Sequence, residues 1–181
     1  MYCLEVYGAH TLYIILGCGC ETRGAMMSGA VMGLPSTDKS RIDKSRVVRI
    51  FVVDDNPSVR RYLRGILEQH DNWRVCDEAR DGRDAVDRFG KIHPDLVVLD
   101  FQMPEMNGLD AARIIAERSP TTPILIVTLY LSKQLVDEAR KVGARGACAK
   151  ANVGEVVDAV GALLREETYF PTWKMVSGEV T

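Results

Sequence analysis

Three aspartates, one threonine and one lysine lie at the carboxyl ends of apolar segments in this chain. Asp54 and Asp55 follow VVRIFVV, Asp100 ends DLVVLD, Thr128 lies near the end of PILIVTL, and Lys150 ends RGACAK. Carboxylates held a few ångströms apart repel one another unless a proton or a cation intervenes. Mg²⁺ suits such a group because it prefers oxygen ligands and also binds phosphate oxygens. A carboxylate is also a competent nucleophile, so the set predicts formation of an aspartyl-phosphate.

Each of these residues also has an ordinary explanation when it is taken alone. An aspartate pair after a strand is commonly a turn or a helix cap. A threonine is commonly a β-branched strand residue, and a lysine is commonly solvated. Their joint appearance at the ends of predicted strands distinguishes the set, because ligands of open parallel sheets bind beyond the carboxyl ends of the strands.

The segments that carry these residues alternate between strand and helix patterns. Apolar runs at 47–53, 95–100 and 123–129 are typical of strands buried on both faces of a parallel sheet. Shorter strands are predicted at 73–80 and 145–150. Five strand–helix units in roughly 120 residues predict an α/β fold, a doubly wound five-stranded parallel sheet with helices on both faces in three layers.

Apolar residues at helical spacing follow each predicted strand. Pro57 is well placed for the first turn of the first helix. One face of that helix is predicted to carry five apolar or aromatic residues, which are Val59, Tyr62, Leu63, Ile66 and Leu67.

Composition and charge limit the classes of function. The chain has 181 residues, of which 46% are hydrophobic and 27% are charged, which is an ordinary globular composition. The net charge of −2 provides no basic surface for a phosphate backbone, so we expect no direct binding of nucleic acid.

The five cysteines show no zinc spacing, which favours reduced thiols in a cytoplasmic protein. No apolar run is long enough for a membrane span, and the segment 11–20 lacks the basic start of a signal peptide.

The regular pattern covers only part of the chain. Residues 1–45 show no sustained period and are expected to be a poorly ordered leader and linker. Residues 46–168 are expected to form the domain, and 169–181 a short tail in which Phe170 and Trp173 pack against the domain or are exposed.

Residues 47 to 168 resemble the receiver domain of bacterial two-component response regulators. The resemblance is carried by VVDDNPSVRRYLRGIL, DLVVLDFQMPEMNGLDAAR, PILIVTL and GARGACAK. The Met103-Pro104 pair and the Asn107-Gly108 turn are its most specific features. The resemblance implies a flavodoxin-like fold and a role in phosphorelay signal transduction as a cytoplasmic switch rather than an enzyme, with only self-catalysed phosphoryl transfer and autodephosphorylation.

The resemblance also implies a role for each site residue. Asp100 would accept the phosphoryl group from a sensor histidine kinase or a phosphotransfer protein. Mg²⁺ would be bound by Asp100, by Asp55 directly, by Asp54 largely through water, and by the backbone carbonyl of Gln102. Contacts to the phosphoryl oxygens would come from Thr128 and Lys150. The output would be an altered contact with an output protein, or with a second copy of the chain, through the fourth helix, the fifth strand and the fifth helix.

Three positions depart from the family pattern. Ala147 replaces the aromatic switch residue three positions before the lysine, and Leu129 replaces the small residue after the threonine. We therefore expect a weakened or altered switch with the phosphoryl chemistry intact, since one aromatic contact contributes about 0.5–1.5 kcal/mol. Ala151 replaces the more common proline, so no cis peptide bond is expected there.

Two other interpretations remain open from sequence alone. The GARGACAK segment resembles regulators that also carry a helix-turn-helix DNA-binding domain, so the chain is either a stand-alone receiver, which we favour, or a receiver fragment of such a regulator. A haloacid-dehalogenase-like phosphohydrolase would use similar groups, but it needs a D-x-D pattern after the first strand. This chain has Asp54-Asp55-Asn56 there.

Overall fold

The computed structural model of the protein describes residues 46–172. The predictions for residues 1–45 and for Trp173 lie outside these described residues. The strands are β1 (Val48–Val53), β2 (Trp73–Ala79), β3 (Leu96–Asp100), β4 (Ile124–Thr128) and β5 (Gly146–Ala149). The helices are α1 (Pro57–Leu67), α2 (Gly82–Ile92), α3 (Gly108–Arg118), α4 (Lys133–Lys141) and α5 (Val153–Leu164).

The strands form one parallel sheet in the order β2-β1-β3-β4-β5. The predicted fold class, a five-stranded doubly wound sheet in three layers, is confirmed. The strand limits differ from the predicted ones by at most one residue at either end. The register shifts once, between Ile50 and Phe51 of β1. The sequence pattern did not indicate this irregularity.

The core consists of two hydrophobic clusters, one on each face of the sheet. Alternate residues of β1 enter different clusters, with Phe51 facing α2, α3 and α4, and Ile50 facing α1 and α5. Both side chains are fully buried, as the continuous apolar run in β1 predicts for a central strand. Tyr62 of the predicted apolar face of α1 is instead 56% exposed. The buried stripe of α1 is therefore narrower than predicted.

Each helix begins at a polar residue whose side chain accepts a hydrogen bond from a backbone amide of the first turn. These N-cap residues are Asn56, Asp81, Asn107, Ser132 and Asn152. Such caps satisfy amides that have no partner within the helix. They therefore define how the chain turns from each strand end into the next helix, at the edge of the sheet where the aspartates lie.

The segment after α5 extends the sheet at its β5 edge. Tyr169 forms a parallel bridge with Gly146, in which its carbonyl accepts a hydrogen bond from the amide of Ala147 at 2.8 Å. Phe170 packs against one core cluster, and the guanidinium carbon of Arg140 lies 4.4 Å from its ring centroid. No helix within residues 46–172 is long and apolar enough to cross a bilayer.

Cys148 of β5 is expected to resist alkylation in the folded protein. Its side chain is fully buried, and burial raises the pKa of its thiol to about 12. The reactive species is the thiolate, so only about one molecule in ten thousand would be reactive at pH 8. Iodoacetamide treatment followed by peptide mass spectrometry should label Cys148 in urea and leave it unlabelled in buffer. Rapid labelling of Cys148 in buffer would contradict this burial.

Candidate functional site

The candidate site lies at the carboxyl edge of the sheet, between β1 and β3. The order of the sheet reverses at this point, because the chain leaves β1 towards β2 on one side and then crosses to β3 on the other. Crevices of this kind bind the ligands of open α/β sheets. Asp54 and Asp55 directly follow β1, and Asp100 is the last residue of β3.

The three predicted carboxylates meet at this edge. One oxygen atom from each of Asp54, Asp55 and Asp100 lies within 4.8 Å of the other two. Asp54 is fully buried and Asp100 is 3% exposed, whereas Asp55 is exposed. The group is therefore a pocket with two buried carboxylates, open to solvent on the side of Asp55.

Lys150 provides the positive charge of this pocket. Its Nζ lies 2.6 Å from Asp54 Oδ2 and 2.8 Å from Asp100 Oδ2, and its side chain is 12% exposed. The amide of Lys150 donates a hydrogen bond to the carbonyl of Thr128 at 2.8 Å, which fixes the end of β5 beside the end of β4. Within the described residues, the sequence prediction that this lysine joins the aspartates agrees with the geometry.

Burial and charge act in opposite directions on these groups. Burial raises the pKa of Asp100, and the negative charge of Asp54 raises it further, although the ammonium group of Lys150 offsets part of the effect. Burial disfavours the charged form of Lys150, but contacts with Asp100 and Asp54 outweigh it and raise the lysine pKa. Lys150 is therefore positively charged at neutral pH. The carboxylates of the pocket still favour the binding of a further positive charge.

The oxygen chemistry of the pocket fits a hard divalent cation. Among residues 46–172, the only partner of the buried Asp54 Oδ2 is the ammonium group of Lys150, in an ionic contact. A buried carboxylate oxygen without a hydrogen bond is unfavourable unless a charge compensates it. Mg²⁺ prefers oxygen ligands, is usually bound directly by one or two carboxylates, and keeps several waters, which a third carboxylate can contact. The residues present thus suit Mg²⁺.

The loop between β1 and α1 holds the first two aspartates. The amide of Asn56 donates to Asp54 Oδ1 at 2.9 Å, and Asn56 Oδ1 accepts from the amide of Ser58 at 2.9 Å. The Nη1 of Arg60 donates to the carbonyl of Asp54 at 2.7 Å. Neither Asn56 nor Arg60 was predicted from the sequence as a residue of the site. The N-cap position of Asn56 before Pro57 was a usable signal, while nothing in the spacing marks Arg60.

The loop between β3 and α3 approaches Asp100 closely. The amide of Gln102 donates to Asp100 Oδ1 at 3.2 Å. A Cβ atom placed on Gly108 would lie 2.1 Å from the carbonyl oxygen of Asp100, so only glycine fits at this position. Glu105 has a φ of 63°, an uncommon conformation for a residue other than glycine.

The end of β4 carries the predicted threonine. Thr128 is 1% exposed, and its Oγ1 accepts a hydrogen bond from the amide of Tyr130 at 3.3 Å. Leu129 and Tyr130 are 61% and 80% exposed, so both project from the loop after β4. Ala147, at the position where the family has its aromatic residue, is fully buried in β5. No cis peptide bond occurs in residues 46–172, which agrees with the prediction for Ala151.

Comparison with known families decides the assignment. Residues 50–160 match the response regulator receiver domain. The chain belongs to this family. The receiver fold and a receiver role in phosphorelay signal transduction are therefore confirmed, and the family match favours this assignment over the phosphohydrolase alternative.

Similar proteins of known sequence include a transcriptional regulatory protein and a methylesterase. The chain is 33% identical over 126 residues to an uncharacterised transcriptional regulatory protein of Bacillus subtilis. The aligned region covers 69% of this chain and 58% of that protein. The chain is 44% identical over 84 residues to a protein-glutamate methylesterase/protein-glutamine glutaminase of Pyrococcus horikoshii. That aligned region covers 46% of this chain and 23% of that protein. The chain thus spans less than two thirds of the length of each of these relatives.

Solved structures show the same receiver architecture. A LuxR-family two-component response regulator from Aurantimonas sp. SI85-9A1 superposes with a TM-score of 0.66 at 31% identity, over 68% of this chain and 89% of that one. The response regulator domain of Thermotoga maritima CheB gives a TM-score of 0.61 at 27% identity, over 67% of this chain and 96% of that one. Most of each of these two solved chains therefore superposes on this protein.

Proposed function

We propose that Asp100 is the phosphoacceptor of a Mg²⁺-dependent signalling switch. The observation that carries the proposal is the meeting of three carboxylates within 4.8 Å, with Lys150 Nζ 2.8 Å from Asp100 Oδ2. The donor is a phosphohistidine on a sensor histidine kinase or a phosphotransfer protein, and the reaction takes place in the cytoplasm.

Transfer joins a carboxylate oxygen of Asp100 to phosphorus while the bond between phosphorus and the imidazole nitrogen breaks. The leaving imidazole keeps the electron pair of that bond. Lys150 and the hydroxyl of Thr128 contact the phosphoryl oxygens. These groups are already in place, so they stabilise the negative charge of the phosphoryl group as it is transferred to Asp100. Mg²⁺ would be held by Asp55, Asp100 and the carbonyl of Gln102, and by Asp54 largely through water; when bound, it would neutralise charge on the phosphoryl oxygens.

The signal leaves the site through Thr128 and Lys150. Thr128 ends β4 and Lys150 directly follows β5. These strands lie next to α4 and α5, so a change in the contacts of either residue reaches the α4, β5 and α5 surface, where an output protein or a second copy of the chain binds. The relatives that are transcriptional regulatory proteins favour a second candidate, in which this receiver controls a DNA-binding domain. A gel shift at low salt with the full product of the gene separates the two candidates, because an attached DNA-binding domain would retard DNA, whereas a receiver with a net charge of −2 is expected not to.

The phosphoacceptor role predicts a specific loss in one variant. Incubation with Mg²⁺ and acetyl phosphate should add one phosphoryl group to the wild-type protein, and Asp100→Asn should show no gain in intact mass. Asp87→Asn, which changes an exposed aspartate of α2, is the matched control and should be phosphorylated like the wild type. A phosphoryl-sized gain in Asp100→Asn equal to that of the wild type would remove Asp100 from this role.

A further inference from the structure

Arg60 of α1 connects the aspartate loop to the neighbouring strand β2. Its Nη1 donates to the carbonyl of Asp54 at 2.7 Å and to that of Asp55 at 3.4 Å. Its Nε donates to Glu78 Oε2 at 3.1 Å. The side chain is 18% exposed, so the guanidinium is held in place by these contacts rather than free in solvent.

We propose that Arg60, oriented by Glu78, is a positioning residue for the Mg²⁺ site. It holds the backbone of Asp54 and Asp55 so that their carboxylates face Asp100. This inference rests on the proposed function, since it concerns the same metal site. Arg60 binds the two backbone carbonyls and leaves the carboxylates available to the metal.

The planar guanidinium is suited to this task. Two of its nitrogen atoms bind two different partners at once, which a lysine ammonium group does not reproduce with the same geometry. Without Arg60, the side chain of Asp54 would still accept a hydrogen bond from the amide of Asn56 at 2.9 Å. That bond fixes Asp54 but leaves the backbone of Asp55, the exposed member of the group, without a side-chain contact from α1.

Charge neutralisation explains why Glu78 belongs to the arrangement. A positive charge close to the aspartates would repel an incoming divalent cation. Glu78 offsets that charge because it accepts hydrogen bonds from Arg60 and from Arg64, the latter at 2.8 Å. Replacement of Glu78 by glutamine would leave the charge of Arg60 without this carboxylate partner, and the metal would then bind less tightly.

Arg64 provides a matched control one helical turn further along α1. It shares Glu78 as a partner and also contacts Glu68 and the carbonyl of Val75, but none of its hydrogen bonds reaches the aspartate loop. Its loss therefore removes similar helix-to-strand contacts while it leaves the loop untouched. A role in positioning the loop is thus separable from a role in overall stability.

The test is a Mg²⁺ titration in which NMR follows the backbone amide resonances of the proposed metal-binding residues. The shifts of Asp54, Asp55 and Asp100 are followed in the wild type, Arg60→Ala, Arg60→Lys and Arg64→Ala, with urea unfolding of each protein alongside. Loss of a partner that orients a metal ligand lowers affinity by about 10–100-fold. We expect at least a tenfold weaker affinity for Arg60→Ala, about a fivefold loss for Arg60→Lys, and a change within about twofold for Arg64→Ala.

The outcomes separate this inference from the proposed function. If the wild type shows no saturable Mg²⁺-dependent shifts at the aspartates, the proposed metal site itself is wrong. If the wild type binds Mg²⁺ and the Arg60→Ala and Arg64→Ala proteins bind it equally well, or with equal losses, the positioning role alone is overturned. Should Arg60→Ala fail to fold, Arg60→Lys and Glu78→Gln decide the matter, because wild-type affinity in both would overturn the inference.

Discussion

Replacement of Lys150 by methionine is expected to lower the free energy of unfolding by about 3 kcal/mol in the absence of Mg²⁺. Asp54 and Asp100 are both buried, and Lys150 lies within 2.6 Å and 2.8 Å of them. Removing one partner from a buried ion pair leaves its counterpart without compensation. Two carboxylates lose their cation here, so the effect is among the largest expected of single substitutions. Urea unfolding in EDTA measures it.

Addition of Mg²⁺ should return part of this stability, because a divalent cation takes over the neutralisation of the carboxylates. Phosphorylation of Lys150→Met by a small phosphodonor should remain impaired at saturating Mg²⁺, since no ammonium group contacts the phosphoryl oxygens. Lys133→Met, at the exposed start of α4, is the control and should behave like the wild type. Wild-type stability of Lys150→Met in EDTA would show that the pocket does not depend on this charge.

Substitution of Gly108 by alanine should also destabilise the protein, by about 2–3 kcal/mol. The added Cβ would lie 2.1 Å from the carbonyl oxygen of Asp100 and 3.0 Å from Cα of Phe101. Both contacts are with backbone, so the helix α3 or the end of β3 must move. Because that movement displaces Asp100, the rate of phosphorylation by acetyl phosphate should fall together with the stability.

Gly65→Ala is the matched glycine control, because Gly65 lies in α1 and a Cβ atom there would meet nothing within 4 Å. Alanine favours a helix over glycine by about 0.5–1 kcal/mol, so this variant should be more stable than the wild type. Phosphorylation should be unchanged. A Gly108→Ala protein with the stability and phosphorylation rate of the wild type would contradict the close approach of α3 to Asp100.

The fold and the gathering of the acidic residues could be predicted because two independent patterns coincide. Apolar runs such as DLVVLD fit only strands covered on both faces, and parallel strands place their carboxyl ends on one edge. Asp54, Asp100 and Lys150 are therefore brought together by topology alone. Their separations along the chain do not matter once each ends a strand of the same sheet.

Contacts that depend on loop conformation and on the chain beyond the regular pattern were not predictable in this way. Arg60 reaches the carbonyls of Asp54 and Asp55 only because Asn56 turns the chain into α1 at one particular angle. The bridge between Tyr169 and Gly146 joins the segment after α5 to a short edge strand. That segment contains no apolar run that would have predicted the pairing. Both features are determined by hydrogen bonds to backbone atoms, which carry no residue-specific signal.

The phosphoacceptor role of Asp100 is tested most directly by locating the phosphoryl group in the chain. Protein treated with Mg²⁺ and acetyl phosphate is reduced with borohydride, which converts an aspartyl-phosphate to homoserine, and is then digested and sequenced by tandem mass spectrometry. Homoserine is expected at position 100, in the peptide that contains Phe101 and Gln102, and aspartate is expected at positions 54 and 55. Homoserine at position 54 or 55, with aspartate unchanged at position 100, would contradict that role.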